Sequence, residues 1–502
     1  MDSILAIIAS ILTIIKNVAS IKVIVSALKK LFGWGDRIHS STGTGKSTHP
    51  DSISGEVITV KGRKLAVKLA WLERNAVSGG SYVIKVNKNE RISSRSLSYN
   101  NKHNITITIM GFGAKRTIQV TSKDSMFFVD AGVTLVLDSN ITLKGRSNNY
   151  KSLVYVESGG ILKMNVGSAI TGNTTRGNGG GVYVGTNGFF RMNGGTISGN
   201  AARGNGGGVY VDTDGSFFMY GGAITGNTLK CFNAAYTDDG TGAAIGRNDC
   251  GGGVYVRGAF TMNGGTISGN TARDGGGVFV WNAFTMNGGE IISNKASEGG
   301  GVYVEDGAFI MGNRAAISQN RAGGSGGGVY VRMRGRFLMI DGIITNNNAG
   351  DNGGGVYVSS SFTMIGGNIS SNTACRGGGL VLGGGGSFTM NEGIITGNVA
   401  FGYDDIGYAA IGLGGGVWVL GGVFLKKGGT ITGIGDAKNL IDDYNRVEDR
   451  CHTVRNDRGH AIYCKFGDRD WDKRRETTAG PDENLFFDGH DGNPTWYGGW
   501  DK

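Results

Sequence analysis

The stretch Gly251–Asp274 reads GGGVYVRGAFTMNGGTISGNTARD, and its grammar decides the fold. It holds three short runs, Val254-Tyr255-Val256, Phe260-Thr261-Met262 and Thr266-Ile267-Ser268, each alternating between apolar and other residues. A period of two sends successive side chains to opposite faces of a strand, and the Gly-Gly and Gly-Asn pairs between the runs signal turns. Three strands and three turns in 24 residues are too little to bury a face alone, so neighbouring units must stack.

Working outward, the glycine block and its close variants recur at Gly179, Gly206, Gly251, Gly275, Gly299, Gly326, Gly353, Gly377 and Gly414. The intervals share a base of 24 residues, with 3, 13 or 21 added. In each Val-x-Val strand the two valines face inward and the middle residue outward. Phe260, Phe284, Phe362 and Phe388, with Met262, Met286, Met364 and Met390, supply a second inward set. Ile197, Ile224, Ile267, Ile317, Ile369 and Ile395 supply a third. An asparagine column follows: Asn200, Asn227, Asn270, Asn294, Asn320, Asn346, Asn372 and Asn398, spaced to stack as an amide ladder. No stretch between residues 80 and 430 keeps a helical period. These columns predict an all-β chain: a right-handed, single-stranded parallel β-helix of about 24 residues and three strands per coil, with roughly 12 coils.

Composition agrees. The chain has 502 residues with 94 Gly but only three Pro, at positions 50, 481 and 494, so nothing between 51 and 480 interrupts a strand ladder. The net charge of +10 is uneven: residues 1–125 hold 19 Lys/Arg against 7 Asp/Glu, and the remaining 377 hold 31 against 33. A near-neutral solenoid argues against a nucleic-acid groove, and the basic N-terminal quarter reads as a solvated face.

Five segments follow. Residues 1–35 form an apolar N-terminal helix containing Ile4–Ile15 (ILAIIASILTII), membrane-associated or signal-like, with membrane attachment expected through residues 1–33. Residues 36–60 are a polar linker. Its Gly43–Thr48 (GTGKST) lacks the leading glycine of a phosphate-binding loop and a strand before it. Residues 61–76 are a capping helix with Leu65, Leu69 and Leu72 on one face, 77–433 the β-helix, and 434–502 an irregular C-terminal cap.

The repeats carry a resemblance. Phe190-Arg191-Met192-Asn193, Phe260–Asn263, Phe284–Asn287 and Phe388–Asn391 match FxxN, and Gly221-Gly222-Ala223-Ile224 matches GGAI. Together they resemble the repeats of chlamydial polymorphic outer-membrane proteins and, more closely, Gly-rich β-helix repeat proteins of spirochaetes and other bacteria. The segment Lys473–Pro481 (KRRETTAGP) is similar to the tail of the latter. The resemblance implies a surface-exposed chain and, from the chlamydial relatives, adhesion to a protein or glycan. The membrane barrel that ends those relatives has no counterpart after residue 433 in the pattern of ten-residue alternating strands.

Four sets of residues are candidates for function. The outward residue of the Val-x-Val strand is Tyr155, Tyr183, Tyr210, Tyr255, Phe279, Tyr303, Tyr330, Tyr357, Val381 and Trp418, a column to expose as a binding strip or to stack as a brace. Two insertions share the pattern Asp-Asp-x-x-x-Ala-Ala-Ile-Gly and enter at the same corner of the coil, so Asp238 and Asp239, and Asp404 and Asp405, are expected on one side of the rod as a cation or ligand site or as solvated loops. Cys231 with Cys250, and Cys451 with Cys464, bracket loops as tying disulfides do, leaving Cys375 unpaired. His452 and His460 between the latter pair match no standard zinc spacing. No metal, cofactor or catalytic residue is expected. A carbohydrate-active enzyme, a polysaccharide lyase or glycoside hydrolase, is the rival to a non-catalytic surface scaffold, but it needs carboxylates clustered in one groove. The outward positions here are mainly Tyr, Thr and Ser.

Overall fold

The computed structural model describes residues 57–229, 250–401, 414–420 and 422–431, together with the backbone of four later strands. The apolar segment 1–35, the linker up to residue 56 and the GTGKST motif lie outside the described residues. Within them the chain is a parallel β-helix of about 12 turns. The Val-x-Val strands make one 14-stranded sheet running from Arg95–Leu97 to Arg469–Lys473. In the central coils the columns pair like with like: Val254 with Val278, Tyr255 with Phe279, Phe260 with Phe284, Ile267 with Ile291.

Each coil has more structure than three strands. A two-residue strand follows the asparagine, as in Ala201–Ala202, Thr228–Leu229, Lys295–Ala296 and Arg321–Ala322. Here the expectation of a turn is corrected. The Thr228 N–H donates to Asn200 O at 2.9 Å, so this corner's backbone pairs with the neighbouring coil.

The interior is a set of columns. Nine phenylalanines from Phe190 to Phe424 stack with ring centroids 4.5–5.0 Å apart and interplanar angles of 4–7°. The partnering methionines, isoleucines and valines are all fully buried. Burying one such side chain contributes about 1.5–3 kcal/mol, and identical neighbours one coil away leave little room for voids.

The glycine triplet makes the tightest corner. Gly275 has φ +66°, and a Cβ there would sit 2.6 Å from Val278 O. At Gly276 a Cβ would lie 2.6 Å from both Gly300 O and Lys295 O. At Gly277 it would meet Gly301 O at 2.6 Å and Ile291 Cγ2 at 2.8 Å. All three positions therefore exclude a side chain, the first by conformation as well as by contact.

Against this corner lies the amide ladder. The Asn294 Oδ1 accepts from the Asn270 backbone N–H and from Asn270 Nδ2, both at 3.0 Å. Its own Nδ2 donates to Asn320 Oδ1 at 3.0 Å and to Ile267 O at 2.9 Å. The pattern extends from Asn173 to Asn398, and these asparagines are fully or almost fully buried. One member differs from the sequence expectation: Asn347, not Asn346, occupies the ladder. Asn346 takes the preceding position, where φ is positive (+55°) and where Gly199, Gly226 and Gly269 stand in other coils. Asparagine tolerates that conformation better than most residues, which makes the Asn-Asn pair ambiguous in sequence.

Both ends are covered. Helix α1 (Leu65–Asn75) buries Leu65, Leu69 and Leu72 in the same core as the first strands. Its Lys68 is buried too, donating through Nζ to Lys85 O. At the other end Val417–Val419 pairs in parallel with Ile462–Phe466. Leu485–Phe487 and Thr477–Thr478 then pair antiparallel with the last coil, blunting its open edge.

Replacing Asn294 by alanine strips acceptors from two donors of Asn270 and a donor from Ile267 O. The loss should be about 2–4 kcal/mol, since buried groups are left unpaired. Urea unfolding of Asn294→Ala beside the parent checks this; a loss below about 0.5 kcal/mol would contradict the ladder's role.

Candidate functional site

The aromatic column is continuous but mostly closed. From Tyr155 to Tyr357 the rings stack with centroids 4.4–5.1 Å apart, and Phe128 extends the column one coil further at 5.7 Å. The expectation of an exposed strip is corrected along the middle of the rod. Tyr210, Tyr255, Phe279, Tyr303 and Trp418 retain only 3–6 % of their exposure, and Val381 none. Tyr155, Tyr183, Tyr330 and Tyr357 are half-buried. Face-to-face stacking removes both faces of each ring from water, leaving only edges.

Polar residues close those edges. The residues before each glycine triplet (Cys250, Asp274, Glu298) and those after each Val-x-Val (Asp212, Arg257, Glu305) lie beside the rings. The Tyr183 hydroxyl donates to Asp212, and Arg332 pairs with Glu305 at 3.5 Å. Burial, with these neighbouring carboxylates, pushes the hydroxyls of Tyr183, Tyr255, Tyr303 and Tyr330 well above the usual phenol range. The column therefore braces the rod, and its accessible part is confined to Phe128, Tyr155, Tyr183, Tyr330 and Tyr357.

Glu298 stands out within the flanking column. Burial pushes its carboxyl up to about 7, and the carboxylates of Asp274 and Asp351 add to the effect. The Ser325 N–H, donating to Oε2 at 2.7 Å, and Arg273 oppose it. Among the described residues no group of three His, Cys, Asp or Glu side chains is arranged to hold a metal ion.

Both insertions fall at the same corner of the coil, as the described residues that flank them show. The first runs between Leu229 and Cys250 and the second between Phe401 and Gly414, each joining the short strand after the asparagine to a glycine triplet. They are six coils apart, which is about 29 Å at strand-pairing distance. Asp238, Asp239, Asp404 and Asp405 themselves lie outside the described residues. So do Cys231, Cys451, His452 and His460, and for Cys464 only the backbone is described. Cys250 is buried against the tyrosine column with its thiol 3.9 Å from Asp274 Oδ2, and Cys375 is buried with its thiol pKa raised by desolvation.

One grouping has no counterpart among the sequence candidates. Arg91 and, two coils further on, Lys144 and Arg146 line a common cleft in the N-terminal portion. Only Arg91 belongs to the basic stretch before residue 125; Lys144 and Arg146 lie beyond it. No helix among the described residues is long and apolar enough to cross a membrane. No family model matches the chain, and neither a curated protein nor a solved structure matches it.

Glu298 gives a pH prediction with a definite sign. A carboxyl raised above its unfolded value of about 4.5 favours folding when protonated. Stability is therefore full below pH 4.5 and falls as pH rises through about 7. After allowance for solvent screening the loss is roughly 1–2 kcal/mol. Glu298→Gln should flatten the melting temperature between pH 5 and 8 and exceed the parent above about pH 7. Parallel melting curves for parent and variant across that range would contradict the assignment.

Proposed function

We propose that the chain is a non-catalytic binding scaffold displayed at the cell surface, a stiff rod that presents loops and side chains to a protein or glycan partner. The observation that carries this reading is the common corner at which both long insertions interrupt an otherwise regular repeat. Regular coils spend their polar groups on each other, as the asparagine ladder does, so variable chemistry falls to corners and ends. The FxxN and GGAI repeats support the surface setting by their resemblance to bacterial surface proteins.

A lyase or hydrolase reading remains the contrast. It is separated by one experiment: the full chain on a glycan and protein array, run beside a depolymerase assay on every glycan retained. Saturable retention with unchanged glycan length is the expected result. Release of reducing ends or unsaturated products would make the protein an enzyme.

A further inference from the structure

The N-terminal coils contain a cleft of about 670 Å³ at the outer end of their third strands. Arg91 and Lys144 are exposed and Arg146 half-buried, and all three line it. Gln119, Thr121 and Ser147 add amide and hydroxyl groups. No carboxylate and no aromatic ring is among the lining residues. Glu90, next to Arg91 in sequence, is engaged elsewhere: its Oε2 accepts from the Leu65 N–H at 2.8 Å and it faces Lys68. Arg146 is held in place by a bond from its guanidinium to Thr121 O. The close packing beneath it depends on Gly145, where a Cβ would lie 2.3 Å from Asn173.

Register explains how the cations converge. Arg91 pairs with Gln119, Gln119 with Lys144, and Lys144 with Thr171, so they form one outward column. The same column continues along the rod as Ser198, Thr225 and Ser268, with Ser268 Oγ donating to Thr225 Oγ1 at 3.1 Å. A cationic cleft thus opens onto a row of half-buried hydroxyls advancing about 4.8 Å per coil.

We propose that this cleft binds the anionic groups of an acidic polysaccharide, with the chain lying along the hydroxyl row. The proposal rests on the reading of the protein as a binding scaffold and names its partner class. Guanidinium and ammonium groups without a neighbouring carboxylate suit sulfate or carboxylate oxygens. An extended row of hydroxyls suits the hydroxyl-rich backbone of a sugar polymer. Nucleic acid is disfavoured because the cleft offers no ring on which a base stacks.

The test uses the full chain and four probes: a sulfated polysaccharide, a polyuronate, neutral dextran and single-stranded DNA. The variants are Arg91→Gln/Lys144→Gln, both exposed positions, and Lys115→Gln as an exposed control at another corner. Binding of either acidic glycan, weakened about tenfold or more in the double variant at unchanged melting temperature, is expected. The control should bind as the parent, and the salt dependence should become shallower in the double variant. Double-variant binding within about twofold of the parent, equal binding of neutral dextran, or tighter binding of DNA would each overturn the proposal. Shortening of the bound glycan would leave the cleft standing and overturn the non-catalytic reading. Retention of a different ligand with no acidic-glycan binding would do the reverse.

Discussion

The structure depends on a corner with no room for a Cβ. At Gly275, Gly276 and Gly277 the backbone of one coil approaches its neighbours so closely that any side chain would strike a carbonyl oxygen. That approach lets the Gly276 and Gly277 N–H groups reach the next triplet at 3.1–3.2 Å. It also brings Asn294 and Ile291 against the corner from within. The asparagine ladder seals the same region, giving each amide from Asn227 to Asn372 two accepted and two donated bonds. Glycine makes the turn possible and asparagine makes it specific, because a shift in register would strand several buried donors.

From this constraint the rest follows as columns. Once coils stack without slip, phenylalanine falls on phenylalanine and tyrosine on tyrosine, and stacking energy accumulates along the rod. The two largest additions to the 24-residue base both fall at one corner of the coil. Regularity in the rungs thus frees the corners and the basic N-terminal coils to vary.

The inward columns were legible because period-two alternation and glycine spacing repeat in nearly every coil. The coil number and the buried Phe, Met, Ile and Val sets needed nothing more. Asn346 misled because two adjacent asparagines satisfy two different demands, a positive φ and a ladder position. The tyrosine column was legible in direction but not in exposure. Outward orientation follows from alternation, whereas burial comes from neighbouring rings and from Asp274 and Glu298, which lie on a different side of the turn. The cleft was illegible because Arg91 and Lys144 are 53 positions apart and meet only through register.

The central claim, equal in-register rungs, is tested most directly by electron spin distances along one outward column. Ser216 pairs with Ala259, and the column passes through Ala283, Ala308 and Arg336 to Ser361 and Ser387. Nitroxides at Ser216 and Ser361, then at Ser216 and Ser387, in a background without native cysteines, span five and six rungs. The account predicts narrow distributions near about 24 and 29 Å, one rung apart. Broad distributions, or a second distance no longer than the first, would contradict it.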